Sequence, residues 1–301
     1  MEDSSIMFKA TGISKSYGNK RVLTDINLTV KRGEIYGLVG KNGAGKTTLM
    51  RIMTGLQPPT QGTIEYGFEK RRLGDVGSLV ETPSIYLNKT ARENLEFQYL
   101  NLGLKVDSSL DDTLRFVGLD NTGKKKAGKF SLGMRQRLGI AMAIVGDPEM
   151  LILDEPINGL DPQGIINIRD LITRLNQTKN MTVIISSHIL SELSKLATSF
   201  AFIDGGRIVK QATAYDIEHA HERQLLLECD RAYDLEAFLI GKGFNAETKS
   251  NPGKVTVHGD IDFIDVLIDC RSKGFEIRDI RTLETDLEDY FVHLVGGETH
   301  A

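Results

Sequence analysis

Eight consecutive residues, Gly40-Lys41-Asn42-Gly43-Ala44-Gly45-Lys46-Thr47, fit the pattern Gly-x-x-x-x-Gly-Lys-[Ser/Thr]. They stand between an apolar run, Ile35–Val39, and a helical pattern beginning at Thr47. That context makes the pattern a phosphate cradle. Gly40, Gly43 and Gly45 remove side chains, so backbone N–H groups can turn toward phosphate oxygens. The helix that follows adds a positive dipole end, formed by residues such as Thr48. Lys46 supplies a full charge for the β- and γ-phosphates, and the Thr47 hydroxyl is placed to ligate Mg²⁺.

A second constellation is Met150-Leu151-Ile152-Leu153-Asp154-Glu155-Pro156. An apolar strand here delivers two carboxylates at its C-terminal end, where open α/β sheets bind ligands. Asp154 suits Mg²⁺, and Glu155 suits polarisation of an attacking water as a general base. The cradle and the paired acids together read as a nucleotide-binding site, without choosing among kinases, GTPases, motors and transporters.

Lys129-Phe130-Ser131-Leu132-Gly133-Met134-Arg135-Gln136-Arg137-Leu138 poses a different problem. A Ser and a Gly stand two apart before a helical run, although helix interiors disfavour both. Alone, they read as an N-cap and a loop glycine. In company they resemble the Leu-Ser-Gly-Gly-Gln signature of the ABC ATPase family, with Leu132 and Met134 departing from it. Four further positions resemble that family in order and spacing. Tyr17 stands where an aromatic stacks on adenine, and Glu81 where the Q-loop glutamine would be. Gly159-Leu160-Asp161 is similar to the D-loop, and His188 to the switch histidine. The resemblance spans residues 7 to 210.

It implies ATP and Mg²⁺ as cofactors, with Thr47, Glu81 and Asp154 at the metal. It implies Glu155, His188 and Lys46 as the catalytic set. Tyr17, the stretch from Gly40 to Thr48, Ser131, Gly133 and Asp161 would contact nucleotide. Two such chains, or this chain and a homologous ATPase domain, would pair head to tail, with Ser131 and the Gly133 N–H aimed at the partner's γ-phosphate. A separate transmembrane permease is the other implied partner. Glu at position 81, with "ETPSIY" and "FSLGM", looks like the ATPases of bacitracin-type and lantibiotic-immunity exporters. A non-transport ABC ATPase acting on ribosomes or nucleic acid is the alternative. A P-loop GTPase would need Asn-Lys-x-Asp, and Asn88-Lys89-Thr90-Ala91 lacks the aspartate. A binding module without turnover conflicts with the presence of Glu155 and His188.

Those residues need a scaffold. The 301-residue chain is 40% hydrophobic and 26% charged, a globular composition with length for a sizeable core. Strands are expected at Met7–Thr11, Ile26–Val30, Ile35–Val39, Met150–Leu153, Thr182–Ser186 and Phe200–Ile203. Helices are expected at Thr47–Thr54, Thr90–Leu102, Asp107–Val117, Leu132–Val145, Pro162–Gln177 and Leu190–Leu196. This alternation implies a parallel α/β sheet. The fold class is therefore α/β; the resemblance implies a P-loop NTPase of ABC ATPase type across residues 1–215, and the helical block reads as a subdomain inserted at about 83–130. From 216 to 301 the order βαββαβ, followed by a helix at Thr285–Leu294, predicts a small ferredoxin-like α+β accessory domain.

The formal net charge of −4 gives no basic footprint, so no nucleic acid partner is expected. Lys124, Lys125, Lys126 and Lys129 read as a solvated loop. Two distant cysteines point to a reducing compartment. The polar start and the short apolar runs predict a cytoplasmic chain in which any membrane role uses another chain. The resemblance implies peripheral attachment to the cytoplasmic face of the membrane through the permease.

Overall fold

The structure is a computed structural model that describes residues 5–68, 74–219, 224–248, 253–258, 263–283 and 287. Of the expected helix at Thr285–Leu294 only Leu287 is described, in helical conformation, and the rest lies outside the described residues. Contacts divide the chain into two compact units between Ala214 and Tyr215.

In the first unit, β1 (Ile6–Tyr17), β2 (Lys20–Lys31) and β4 (Gln61–Tyr66) form an antiparallel sheet in the order β2-β1-β4. β1 and β2 are 12 residues each, longer than the alternation indicated, and turn only at Gly18-Asn19. A second sheet has the order β5-β6-β7-β3-β8-β9. It comprises β3 (Ile35–Val39), β5 (Val76–Leu79), β6 (Met150–Asp154), β7 (Thr182–Ser187), β8 (Ser199–Asp204) and β9 (Arg207–Thr213). Its first five strands are parallel and β9 is an antiparallel edge. Every residue of β3, β6 and β7 is buried, which is why each carries an apolar run, with polar residues confined to the ends of β6 and β7. Between the sheets, α1 (Lys46–Met53) packs Leu49, Met50, Ile52 and Met53 against Phe8, Leu23, Ile26 and Ile152.

β4, β5 and β9 carry no clear sequence signal. β5 is Val-Gly-Ser-Leu, and a Cβ at Gly77 would meet the Ala143 carbonyl at 2.1 Å. The glycine permits this close approach while erasing the apolar pattern. β4 and β9 are mostly solvent-facing, so neither buries the stripe that periodicity detects.

The insertion holds α2 (Ala91–Asn101) and α3 (Ser109–Phe116), then two short 3₁₀ turns before α4 (Leu132–Ala143). Thr90 is the N-cap of α2, one position outside the helix, in a full capping box with Glu93. The Thr90 N–H, chiefly, and Lys126 hold the Glu93 carboxyl at about 2, below its ordinary range. A carboxyl depressed on folding stabilises above its unfolded value and loses that contribution as pH falls toward the folded one. Thr90→Ala, which removes the side-chain acceptor for the Glu93 N–H and leaves the Thr90 N–H in place, should cost about 1 kcal/mol as the loss of an N-cap, read as a fall in thermal melting temperature. The difference in thermal melting between wild type and Glu93→Gln should shrink as the pH is lowered from 6 to 3.

α5 (Pro162–Lys179) follows β6, and a single turn, α6 (Leu190–Leu193), follows β7, shorter than expected. α7 (Ala214–His219) was not expected from the sequence.

The second unit contains β10 (Gln224–Cys229), α8 (Ala232–Gly241), β11 (Asn245–Glu247), β12 (Lys254–His258), α9 (Phe263–Ser272) and β13 (Ile277–Leu283). The antiparallel order β11-β12-β10-β13 is the ferredoxin-like arrangement. Leu225, Leu227, Val255 and Val257 meet Leu235, Leu239 and Val266 in its core. Cys229 and Cys270 are free and buried there, and burial pushes the Cys270 thiol up to about 11.

Candidate active site

The cradle begins where β3 ends. A Cβ at Gly40 would meet the Ile203 carbonyl at 2.4 Å, so only glycine fits beside β8. Gly43 and Gly45 have φ of 83° and 110°, values that favour glycine. α1 then starts with no side-chain N-cap. α2, α4 and α5 are capped by Thr90, Ser131 and Asp161. The first N–H groups of α1 are therefore left for an anion. Lys41, Asn42, Gly43, Gly45, Lys46, Thr47 and Thr48 line a cavity of about 280 Å³ with Val22 and Glu155. Gly40 and Ala44 stand behind it, and Ala44 closes the loop by donating to the Lys41 carbonyl at 3.1 Å.

Lys46 is 6% exposed, and its Nζ donates to the carbonyls of Gly40 at 2.6 Å and Lys41 at 3.3 Å. The same ammonium lies 3.4 Å from Glu155 Oε1. Thr47 Oγ1 donates to Asp154 Oδ2 at 2.7 Å. A hydroxyl and a carboxylate side by side form a hard-oxygen donor set suited to Mg²⁺.

Glu155 is held in a left-handed conformation, φ 50°. Its N–H donates to Ser186 Oγ at 2.9 Å, and that hydroxyl donates to Asp154 Oδ1 at 2.6 Å. One serine at the end of β7 thus fixes both acids. Glu155 Oε2 meets His188 Nδ1 at 2.6 Å and the His188 N–H at 3.3 Å. Oε1 is buried and receives no hydrogen bond. Such an acceptor, beside an ammonium, is suited to a water that must lose a proton.

The other sequence-predicted residues lie elsewhere. Ser131, Gly133 and Asp161 line a separate cavity of about 320 Å³, with Leu160. The two cavities share no lining residue. Ser131 does cap α4, as the plain reading holds, because its Oγ accepts from the Met134 N–H at 3.2 Å. Its hydroxyl hydrogen remains available to donate outward. Asp161 likewise caps α5, accepting from Gly164 at 3.1 Å, with Pro162 next. Leu132 takes the space beside Gly159, where a Cβ would lie 3.4 Å from its Cδ2.

Tyr17 closes β1, and its hydroxyl donates to Gln57 Oε1 at 2.5 Å. The ring is 42% exposed, with Lys15 Nζ 5.3 Å from its centroid. Glu81, with φ 65°, bonds Arg51 at 2.5 Å rather than Thr47 or Asp154. Ser186 and Arg51 escaped the sequence reading. The first is one of two serines closing an apolar run, and the second sits on a helix read only for its amphipathic pattern.

The ABC transporter family matches residues 23–158. The chain is 38% identical to the bacitracin transport ATP-binding protein BcrA of Bacillus licheniformis, covering 98% of this chain and 99% of that one. The chain belongs to the ABC transporter ATP-binding family. It is also 41% identical, over 74% of its length, to 99% of the lantibiotic transport ATP-binding protein SrtF of Streptococcus pyogenes. A solved ATP-binding subunit of an ABC transporter superposes with a TM-score of 0.62 at 31% identity, covering 71% of this chain and 92% of that one. The dimeric bacterial ABC transporter cassette MJ0796 shares the fold, with a TM-score of 0.62 at 23% identity over 69% of this chain and 99% of that one. This ABC subunit is therefore an ATP-binding ATPase. Its named relatives are transport proteins, which favours the transport reading over one on ribosomes or nucleic acid. No described helix of this ABC ATPase is long and apolar enough to cross a membrane.

Proposed function

We propose that this chain powers an exporter of peptide antibiotics of the bacitracin or lantibiotic type. It would act as a head-to-tail pair on a separate membrane permease, attached at the cytoplasmic face. The observation that carries the catalytic part is the junction of Lys46, Glu155 and His188 beside the Thr47–Asp154 pair. The names of the relatives support the substrate class.

In this reading the cradle N–H groups and Lys46 hold the phosphates of ATP, and Tyr17 stacks on adenine. Thr47 and Asp154 hold Mg²⁺, with Glu81 the further ligand suggested by its place in the chain. The metal, when bound, neutralises charge on the β- and γ-phosphates. Glu155 Oε1 takes a proton from water as its oxygen bonds to the γ-phosphorus and the bond to the β-phosphate oxygen breaks. His188 keeps the carboxylate in place through Oε2. Ser131 and the Gly133 N–H complete the phosphate shell of the partner chain.

Loss of the chain from its own host should sensitise the cells to bacitracin or a lantibiotic. Wild type should restore resistance, and the Glu155→Gln variant should not. Unchanged sensitivity to both peptide classes would overturn the substrate assignment.

A further inference from the structure

Thr47 and Arg51 lie four residues apart on one face of α1, about 6 Å along its axis. They address neighbouring strands. Thr47 bonds Asp154 at the end of β6, and Arg51 bonds Glu81, two residues beyond the end of β5. β5 and β6 are paired, with Leu79 opposite Leu153. One helix face therefore holds the carboxylates that leave two adjoining strands.

Arg51 takes Glu81 Oε1, and Oε2 has no hydrogen-bond partner among the described residues. The two side chains are 32% and 55% exposed, so as a surface ion pair this contact adds little stability. Its effect lies in where it places charge. The ABC family carries a neutral glutamine at this position. A glutamate there adds a negative charge beside the ligand's own. Glu81 is also a non-glycine residue at positive φ, a conformation that persists when its surroundings hold it.

We propose that Arg51 is a positioning residue that neutralises the Glu81 carboxylate and aims its second oxygen inward, so that a glutamate serves where its charge alone would repel a triphosphate. The inference rests on the nucleotide reading above. It also explains why the chain tolerates an acid at a position flanked by Val80 and Thr82, which line a groove with Pro83 and Gly139.

The test is equilibrium binding of a fluorescent ATP analogue to the full chain, with Mg²⁺ and with chelator. Arg51→Met should weaken binding about tenfold while Glu81 is present. In the Glu81→Gln background the same change should shift the dissociation constant by less than about twofold. Arg51→Lys keeps the charge and should stay within about threefold of wild type. Circular dichroism establishes that each variant is folded, and Arg51→Lys carries the test should Arg51→Met not fold. Equal losses in both backgrounds, no loss with Glu81 present, or a loss of about tenfold or more in Arg51→Lys would overturn the inference. A wild-type chain that bound no nucleotide would overturn the underlying reading instead.

Discussion

Glu155→Gln is expected to lower ATP turnover by at least about a hundredfold while leaving nucleotide binding intact, because general-base catalysis contributes about 10²–10⁴. The amide keeps the shape of the side chain and removes its ability to take a proton. It also removes the ion pair with Lys46, 3.4 Å away, freeing the ammonium for phosphate. The variant should therefore accumulate as an ATP-dependent dimer in size-exclusion chromatography. Backbone geometry should survive, since the residue's N–H is held by Ser186 independently of its side chain. Unchanged turnover, with only monomer in the presence of Mg-ATP, would remove Glu155 from the catalytic role.

Ser131→Arg should abolish turnover to a similar extent by a different route. The loss of the cap alone is a small matter, about 1 kcal/mol of helix stability. The larger effect comes from filling the cavity between α4 and Asp161, which in the proposed head-to-tail pair would also remove a donor to the partner's γ-phosphate; one such donor is worth about 10²–10³ in turnover. Binding of a fluorescent ATP analogue to the isolated chain should change little, because the cradle shares no lining residue with that cavity. A parallel loss of binding and turnover would mean that the two cavities are not independent halves.

The legible parts of this molecule are those where chemistry permits few alternatives. A cradle requires Gly40 to clear β8, Gly43 and Gly45 at positive φ, and a lysine at the head of a helix, so those positions spell themselves out. Fully buried β3, β6 and β7 are equally plain, because burial on both faces favours apolar residues along the middle of each strand. β5 was hidden by Gly77, whose missing side chain serves packing against Ala143. β4 and β9 were hidden by solvent exposure, and the length of β1 and β2 by their partnership with each other. Side-chain partnerships formed across the sheet were also out of reach. Ser186 is 31 positions from the N–H it binds, and Arg51 is 30 from Glu81. Each such pairing follows from the order of strands in the sheet, which local pattern does not encode.

Head-to-tail completion is the claim that joins these observations, and mixing two inactive variants tests it most directly. Lys46→Ala disables the cradle and Ser131→Arg disables the signature, each on its own chain. In a mixed pair, one site carries both lesions and the other carries none. Equimolar mixing should therefore restore ATP hydrolysis to about a quarter of the wild-type level, since half of the pairs are mixed and each has one of two sites intact. A mixture no more active than the average of its components would contradict the account.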